Sequence, residues 1–148
     1  MSALQDPLQL DKQLCFAIYA AGHAFTRFYK PRLDALGITY PQYLVFLVLW
    51  EQDGLTVRAL GQKLFLDSGT LTPLLKRLEA LGYVTRRRDE EDERLVRIYL
   101  TGEGRALRDK ALAVPLQVVG AAGMGVDAMI AMKMELDALR VRLEGAGE

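Results

Sequence analysis

Apolar residues fall at helical spacing along most of this chain and form strand-like runs in one short stretch only. Leu10, Leu14, Ala17, Ile18, Ala21 and Phe25 recur every three or four residues, which predicts a helix. Asp6-Pro7 reads as its start, with Pro7 at the first helical position, where a missing N–H is harmless. The pattern stops near Lys30-Pro31, or one turn later at Gly37. Tyr40-Pro41 starts a second helix, and residues 43–50 are apolar almost all round, so this helix should be deeply buried. Asp53-Gly54 ends it. Thr56 caps a short helix over 57–64, and Phe65-Leu66 makes a tight connection. Asp67 or Ser68 caps the next helix, which runs to about Leu81 and stops at Gly82. Pro73, in its second turn, is expected to bend it. Strands at 83–88 and 95–100 flank a charged tip at 89–94. Thr101 caps a helix from about Gly102, and residues 119–125 read as a glycine-rich break. A last amphipathic helix spans about 126–143, striped by Met129, Met132, Leu136, Leu139 and Leu143. The tail, 145–148, is expected to fray.

Short helix, tight turn, second helix and β-hairpin is the order of a winged helix-turn-helix, whose second helix enters the major groove. The predicted fold is therefore mainly α with a small β-hairpin wing, an α+β chain. The winged unit occupies 40–101, between helices over 6–37 and 102–145. The second helix opens with Ser68, Thr70 and Thr72, small hydroxyl side chains suited to phosphates and base edges. Free N–H groups at its start favour a phosphate. Lys76 and Arg77, further along, suit flanking phosphates. In the hairpin, Arg86, Arg87, Arg88, Arg94 and Arg97 balance Asp89, Glu90, Glu91, Asp92 and Glu93, with the signs sorted along it. Arg94 is the residue expected in a minor groove, its guanidinium oriented by Asp92. On charge alone a solvated hairpin remains an equal alternative.

Bulk properties narrow the class further. The formal net charge of the 148 residues is zero, so local charge must carry any argument for nucleic acid. One cysteine excludes an internal disulfide and fits a reducing cytoplasm. Residues 1–13 show no signal-peptide pattern, and no apolar run reaches the roughly 20 residues that a membrane span needs. His23 has no ligand cluster at metal spacing and reads as structural, so neither metal nor cofactor is expected.

Asp92-Glu93-Arg94 followed by Leu100-Thr101-Gly102-Glu103-Gly104 resembles the wing signature of the MarR family of dimeric winged-helix regulators. Gln13-Leu14-Cys15-Phe16, Tyr29-Lys30-Pro31, the Ile38 to Leu44 string and the Leu66 to Glu79 string resemble its organic hydroperoxide resistance branch. The resemblance implies a homodimer paired through the first and last helices and bound to a palindromic operator. It also implies a repressor that lets go when an organic hydroperoxide oxidises Cys15. Tyr29 and Tyr40 then correspond to tyrosines that hydrogen-bond the cysteine across the dimer interface, and Tyr19 to one lining the same site. With no second cysteine, the one-cysteine mechanism is implied, in which a low-molecular-weight thiol is one fate of the sulfenic acid.

The chemistry agrees with that implication. A thiolate, rather than a thiol, attacks a peroxide. A helix start favours negative charge, and phenolic donors stabilise it without a competing charge. Phe16, Tyr19, Tyr29 and Tyr40 would give an apolar mouth suited to organic hydroperoxides. A lone cysteine is, out of context, more often buried and inert. The main alternative function keeps the DNA binding but uses a reversible small aromatic ligand, with Cys15 structural. A thiol peroxidase enzyme is disfavoured because alternating strands and helices and a resolving cysteine are missing. A pure interaction module leaves Ser68, Thr70 and Arg94 without a role.

Overall fold

The computed structural model describes residues 6–147. In order these form α1 (Leu14–Asp34), α2 (Tyr40–Glu51), α3 (Val57–Leu64), α4 (Ser68–Ala80), β1 (Val84–Arg88), β2 (Val96–Leu100), α5 (Gly102–Ala111), α6 (Ala113–Ala122) and α7 (Val126–Ala146). The chain divides into two units, one ending at Ala111 and the other beginning at Leu112. Among the described residues no single helix is long and apolar enough to cross a membrane.

The first unit is built round α2. Val45, Phe46 and Leu49 are buried, together with Leu60 of α3, Leu71, Leu75 and Leu78 of α4, Val84 of β1 and Ile98 and Leu100 of β2. Side-chain caps start three of these helices. Thr39 and Gln42 form a reciprocal capping box on α2, Thr56 accepts from the N–H of Ala59, and Asp67 accepts from the N–H of Thr70. The turn between α3 and α4 is tight because Gly61 has no Cβ: one added there would lie 2.6 Å from the Leu66 carbonyl oxygen. Phe65 turns the corner in the left-handed region (φ 57), a conformation that costs a non-glycine residue about 1–2 kcal/mol. α4 runs unbroken through Pro73 and closes at Gly82, whose φ of 83 suits a residue without Cβ.

β1 and β2 pair antiparallel, from Val84 opposite Leu100 to Arg88 opposite Val96. The Gly54–Thr56 segment adds a short third edge. Ile98 N–H donates to the Leu55 carbonyl at 2.9 Å, and Gly54 N–H donates to the Ile98 carbonyl at 3.0 Å.

Three sequence expectations need correction. The first helix does not begin at Pro7. Residues 10–12 form a 3-10 turn, and α1 starts at Leu14. The Gln13 side chain donates to the carbonyls of Pro7 (2.7 Å) and Gln9 (2.9 Å), pinning that turn instead of capping the helix. At the other end the pattern continues through Pro31 to Asp34. The C-terminal break is also misplaced. The helix after Thr101 is interrupted at Leu112, just before Pro115, which cannot donate a backbone hydrogen bond. α6 then runs through Gly120 to Ala122, so the glycine-rich break narrows to residues 123–125. Finally, α7 stays helical to Ala146 where fraying was expected, and Glu148 lies outside the described residues.

Candidate nucleic-acid interface and thiol site

Helical spacing places Ser68, Thr72, Lys76 and Glu79 on one flank of α4 and Thr70 and Arg77 on another, with Leu71, Leu75 and Leu78 packed beneath. Ser68, Thr70, Lys76 and Arg77 are exposed, and Thr72 is half-buried. Between α3, the start of α4 and the hairpin lies a groove of about 890 Å³. Its walls include Ser68, Thr72, Arg86 and Arg94 from the sequence reading, and also Arg58 and Gln62 of α3, which that reading missed.

The hairpin tip is folded by its own acids. Asp89 accepts from the N–H groups of Glu91 and Asp92 and from Arg97 Nε at 2.6 Å, while Arg97 also donates to the Gly54 carbonyl at 2.8 Å. Asp92 grips Arg94 with both oxygens, Nε at 2.9 Å and Nη2 at 3.0 Å, leaving the arginine side chain 88% exposed. These bonds hold both carboxyls below the usual carboxylate range, Arg97 acting most on Asp89 and Arg94 most on Asp92. A charged hairpin need not be a featureless solvated loop, and in this one the exposed arginine is aimed by a bidentate pair.

The second cluster lies on α1 and α2. Cys15 is exposed in the first turn of α1. Tyr19 and Phe16 are exposed nearby, and the Tyr19 ring meets His23 edge-on at 4.4 Å. Towards the other end of α1, Tyr29 meets Tyr40 at 4.9 Å and Tyr43 at 5.7 Å between ring centroids. Tyr40 stacks on Tyr43 at 6.2 Å, which makes a three-phenol cluster. Tyr43 was not singled out in the sequence, although it follows Tyr40 by three on the same helix. Burial first, then the neighbouring Tyr40 and Tyr43, pushes Tyr29 up to about 12. Burial also raises Tyr40, and burial with Tyr40 raises Tyr43. At neutral pH all three are therefore O–H donors rather than charges. Among the described residues none of their hydroxyls has a hydrogen-bond partner.

Cys15 and Tyr29 share one helix and stand fourteen residues apart, a rise of about 21 Å. One chain therefore does not bring the cysteine to the phenols. Among the described residues no three His, Cys, Asp or Glu side chains gather in a way that would hold a metal ion.

A family model described as transcriptional regulator SarA/Rot matches residues 27–111. The chain is 56% identical over 138 residues to the HTH-type transcriptional regulator TtmR of Methylorubrum extorquens, covering 93% of this chain and 71% of that protein. It is 54% identical over 115 residues to the organic hydroperoxide resistance transcriptional regulator of Bacillus subtilis, covering 78% of each. This chain belongs to the MarR family of winged-helix regulators. Within that family it falls with the organic hydroperoxide resistance branch. Reduced AbfR bound to DNA, 35% identical, superimposes with a TM-score of 0.78 over 97% of this chain and 99% of its own. AbfR, from Staphylococcus epidermidis, is also known overoxidised on DNA and with a disulfide formed. The MarR-family assignment makes this chain a DNA-binding transcriptional regulator, with the α3–α4 pair and the hairpin as its winged helix-turn-helix.

Proposed function

We propose that this regulator is a homodimeric repressor of a palindromic operator and that organic hydroperoxides release it by oxidising Cys15. The observation that carries the reading is the split site on α1. An exposed thiol stands at one end of the helix, and Tyr29, in a cluster of three neutral phenols whose hydroxyls have no hydrogen-bond partner among the described residues, stands about 21 Å away. A second chain running antiparallel along α1 would bring each cysteine to the partner's phenols. The exposed apolar side chains of α1 (Leu14, Phe16, Ile18, Tyr19, Phe25) and of α7 (Val126, Ile130, Met132, Leu136, Leu143) supply the surface for such pairing. The similarity to the Bacillus regulator supports the choice of oxidant.

Cys15 sits in the first turn of α1. Gln13 provides no side-chain cap, so the first N–H groups of α1 face the thiol's end of the helix without a competing acceptor from that side chain. The thiolate sulfur attacks the terminal oxygen of the hydroperoxide, the O–O bond breaks, and the alkoxide leaves as an alcohol after taking a proton. The resulting sulfenic acid condenses with a small thiol, releasing water and leaving a mixed disulfide. Tyr29 and Tyr40 donate to the sulfur before the reaction and lose that bond once it carries an adduct. On the DNA side, Ser68, Thr70 and Thr72 enter the major groove, Lys76 and Arg77 hold flanking phosphates, and Arg94 reaches the minor groove under the control of Asp92.

The test is operator binding by wild type and Cys15→Ser before and after cumene hydroperoxide with a small thiol. Release of wild type alone, reversed by a reductant, is the expected result. Release of both, or of neither, would make Cys15 structural and move the search to a reversible aromatic ligand.

A further inference from the structure

We propose that Glu79, an acidic residue on the DNA-facing flank of α4, strengthens operator binding by holding Arg86 in place to grip a phosphate. One Glu79 oxygen accepts the backbone N–H of Arg86 at 3.0 Å, and the other accepts its Nε–H at 3.1 Å. The carboxylate thus fixes both the first strand of the wing and the plane of the guanidinium. The backbone N–H of Arg86 is the largest cause holding the Glu79 carboxyl below its ordinary range. Of the five N–H donors of an arginine, only the Nε–H is committed among the described residues. Arg86 lines the groove together with Ser68, Thr72 and Arg94, and its terminal amino groups keep their donors for a phosphate there. A guanidinium suits this bridging, because it can take a carboxylate on one edge and a phosphate on another. The inference rests on reading this groove as the DNA face.

Simple electrostatics makes the opposite prediction, since removing a negative charge beside a polyanion should tighten binding. The experiment is a double-mutant cycle on the full-length protein, read as operator affinity over a salt series. Glu79→Gln keeps an oxygen for the backbone N–H and removes the charge that holds the guanidinium. It is expected to weaken binding about fivefold, the upper end for a half-exposed ion pair. Arg86→Gln is expected to weaken binding and lower the salt slope by about 1 per subunit. In the Arg86→Gln background, Glu79→Gln should have no further effect, because Glu79 acts through Arg86. Arg86→Lys keeps the charge but lacks the planar fork, and should lose affinity with little change in slope.

Tighter or unchanged binding by Glu79→Gln overturns the inference. So does a loss that persists undiminished in the Arg86→Gln background, or an unchanged slope in Arg86→Gln. Arg94→Ala separates the two levels of the argument. If it weakens binding at least tenfold, a good contact's worth, while Glu79→Gln does not weaken it, only the role of Glu79 fails. If Arg94→Ala also leaves binding unchanged, the groove is not the DNA face and both readings fall.

Discussion

Between residues 40 and 101 the polar groups proposed to meet DNA are tied to the fold that carries them, whereas along α1 the groups proposed to sense peroxide stand untied. Arg94 is held by Asp92, Arg97 by Asp89 and Arg86 by Glu79, and the helices beneath begin with Thr39, Thr56 and Asp67 caps. α1 buries Leu33 alone, has no side-chain cap, and carries its thiol at one end and Tyr29 towards the other. A reading head has to present a fixed shape to a fixed ligand, so it is complete within one chain. On the proposed reading, a sensor that must change state on reaction would be left for a second chain to finish.

Breaking the core should therefore damage the reading head first. Phe46 is fully buried and touches Trp50 and Tyr83 at ring distances of 5.2 Å and 5.4 Å. Phe46→Ala is expected to cost about 3–5 kcal/mol, seen as a large fall in Tm and loss of operator binding. Gly61→Ala forces a Cβ against the Leu66 carbonyl and should cost about 1–3 kcal/mol, with DNA affinity falling as the α3–α4 turn opens. The same change at Gly22 in α1, where a Cβ meets nothing within 4 Å, should be neutral or slightly stabilising.

Titration should separate the two regions by sign. Asp67, Glu79, Asp89 and Asp92 all have carboxyls lowered in the folded chain, chiefly by hydrogen bonds from Thr70, Arg86, Arg97 and Arg94 respectively. Their contribution is complete above the ordinary carboxylate range and is lost as pH falls through and below it. Tyr29 is raised from 10.0 to about 12, so its contribution is complete below pH 10.0 and lost between there and about pH 12. Chemical unfolding across pH should show an acid shoulder reduced by Asp89→Asn and an alkaline one reduced by Tyr29→Phe. Retention of the alkaline shoulder in Tyr29→Phe would show that Tyr29 does not cause it.

The reading head was largely legible in the sequence because its signals are local. Thr56, Asp67, Pro41 and Gly82 announce helix ends, and the Asp92–Arg94 pair spans two residues. The Glu79–Arg86 bond was not legible, since it crosses the Gly82 turn and nothing at either residue marks the other as its partner. The start of α1 was misread because Pro7 is a plausible first residue, and only the fold-back of the Gln13 side chain shows where the helix begins. Pro115 marks the interruption at Leu112, and Gly120 reads as a breaker although its neighbours hold it in a helix. The cysteine and tyrosines were each legible by resemblance. Their separation is a plain consequence of helix rise, and Tyr43 became visible only through its rings.

The length of α1 has a genetic consequence. If each sensor takes its thiol from one chain and its phenols from the other, two defective alleles can repair each other. A mixed dimer of Cys15→Ser and Tyr29→Phe subunits contains one wholly intact sensor and one doubly defective one. Co-expression of two alleles, each sluggish or blind alone, should restore an induction that neither homodimer gives, at about a quarter of the working sites, since random pairing makes about half the dimers mixed.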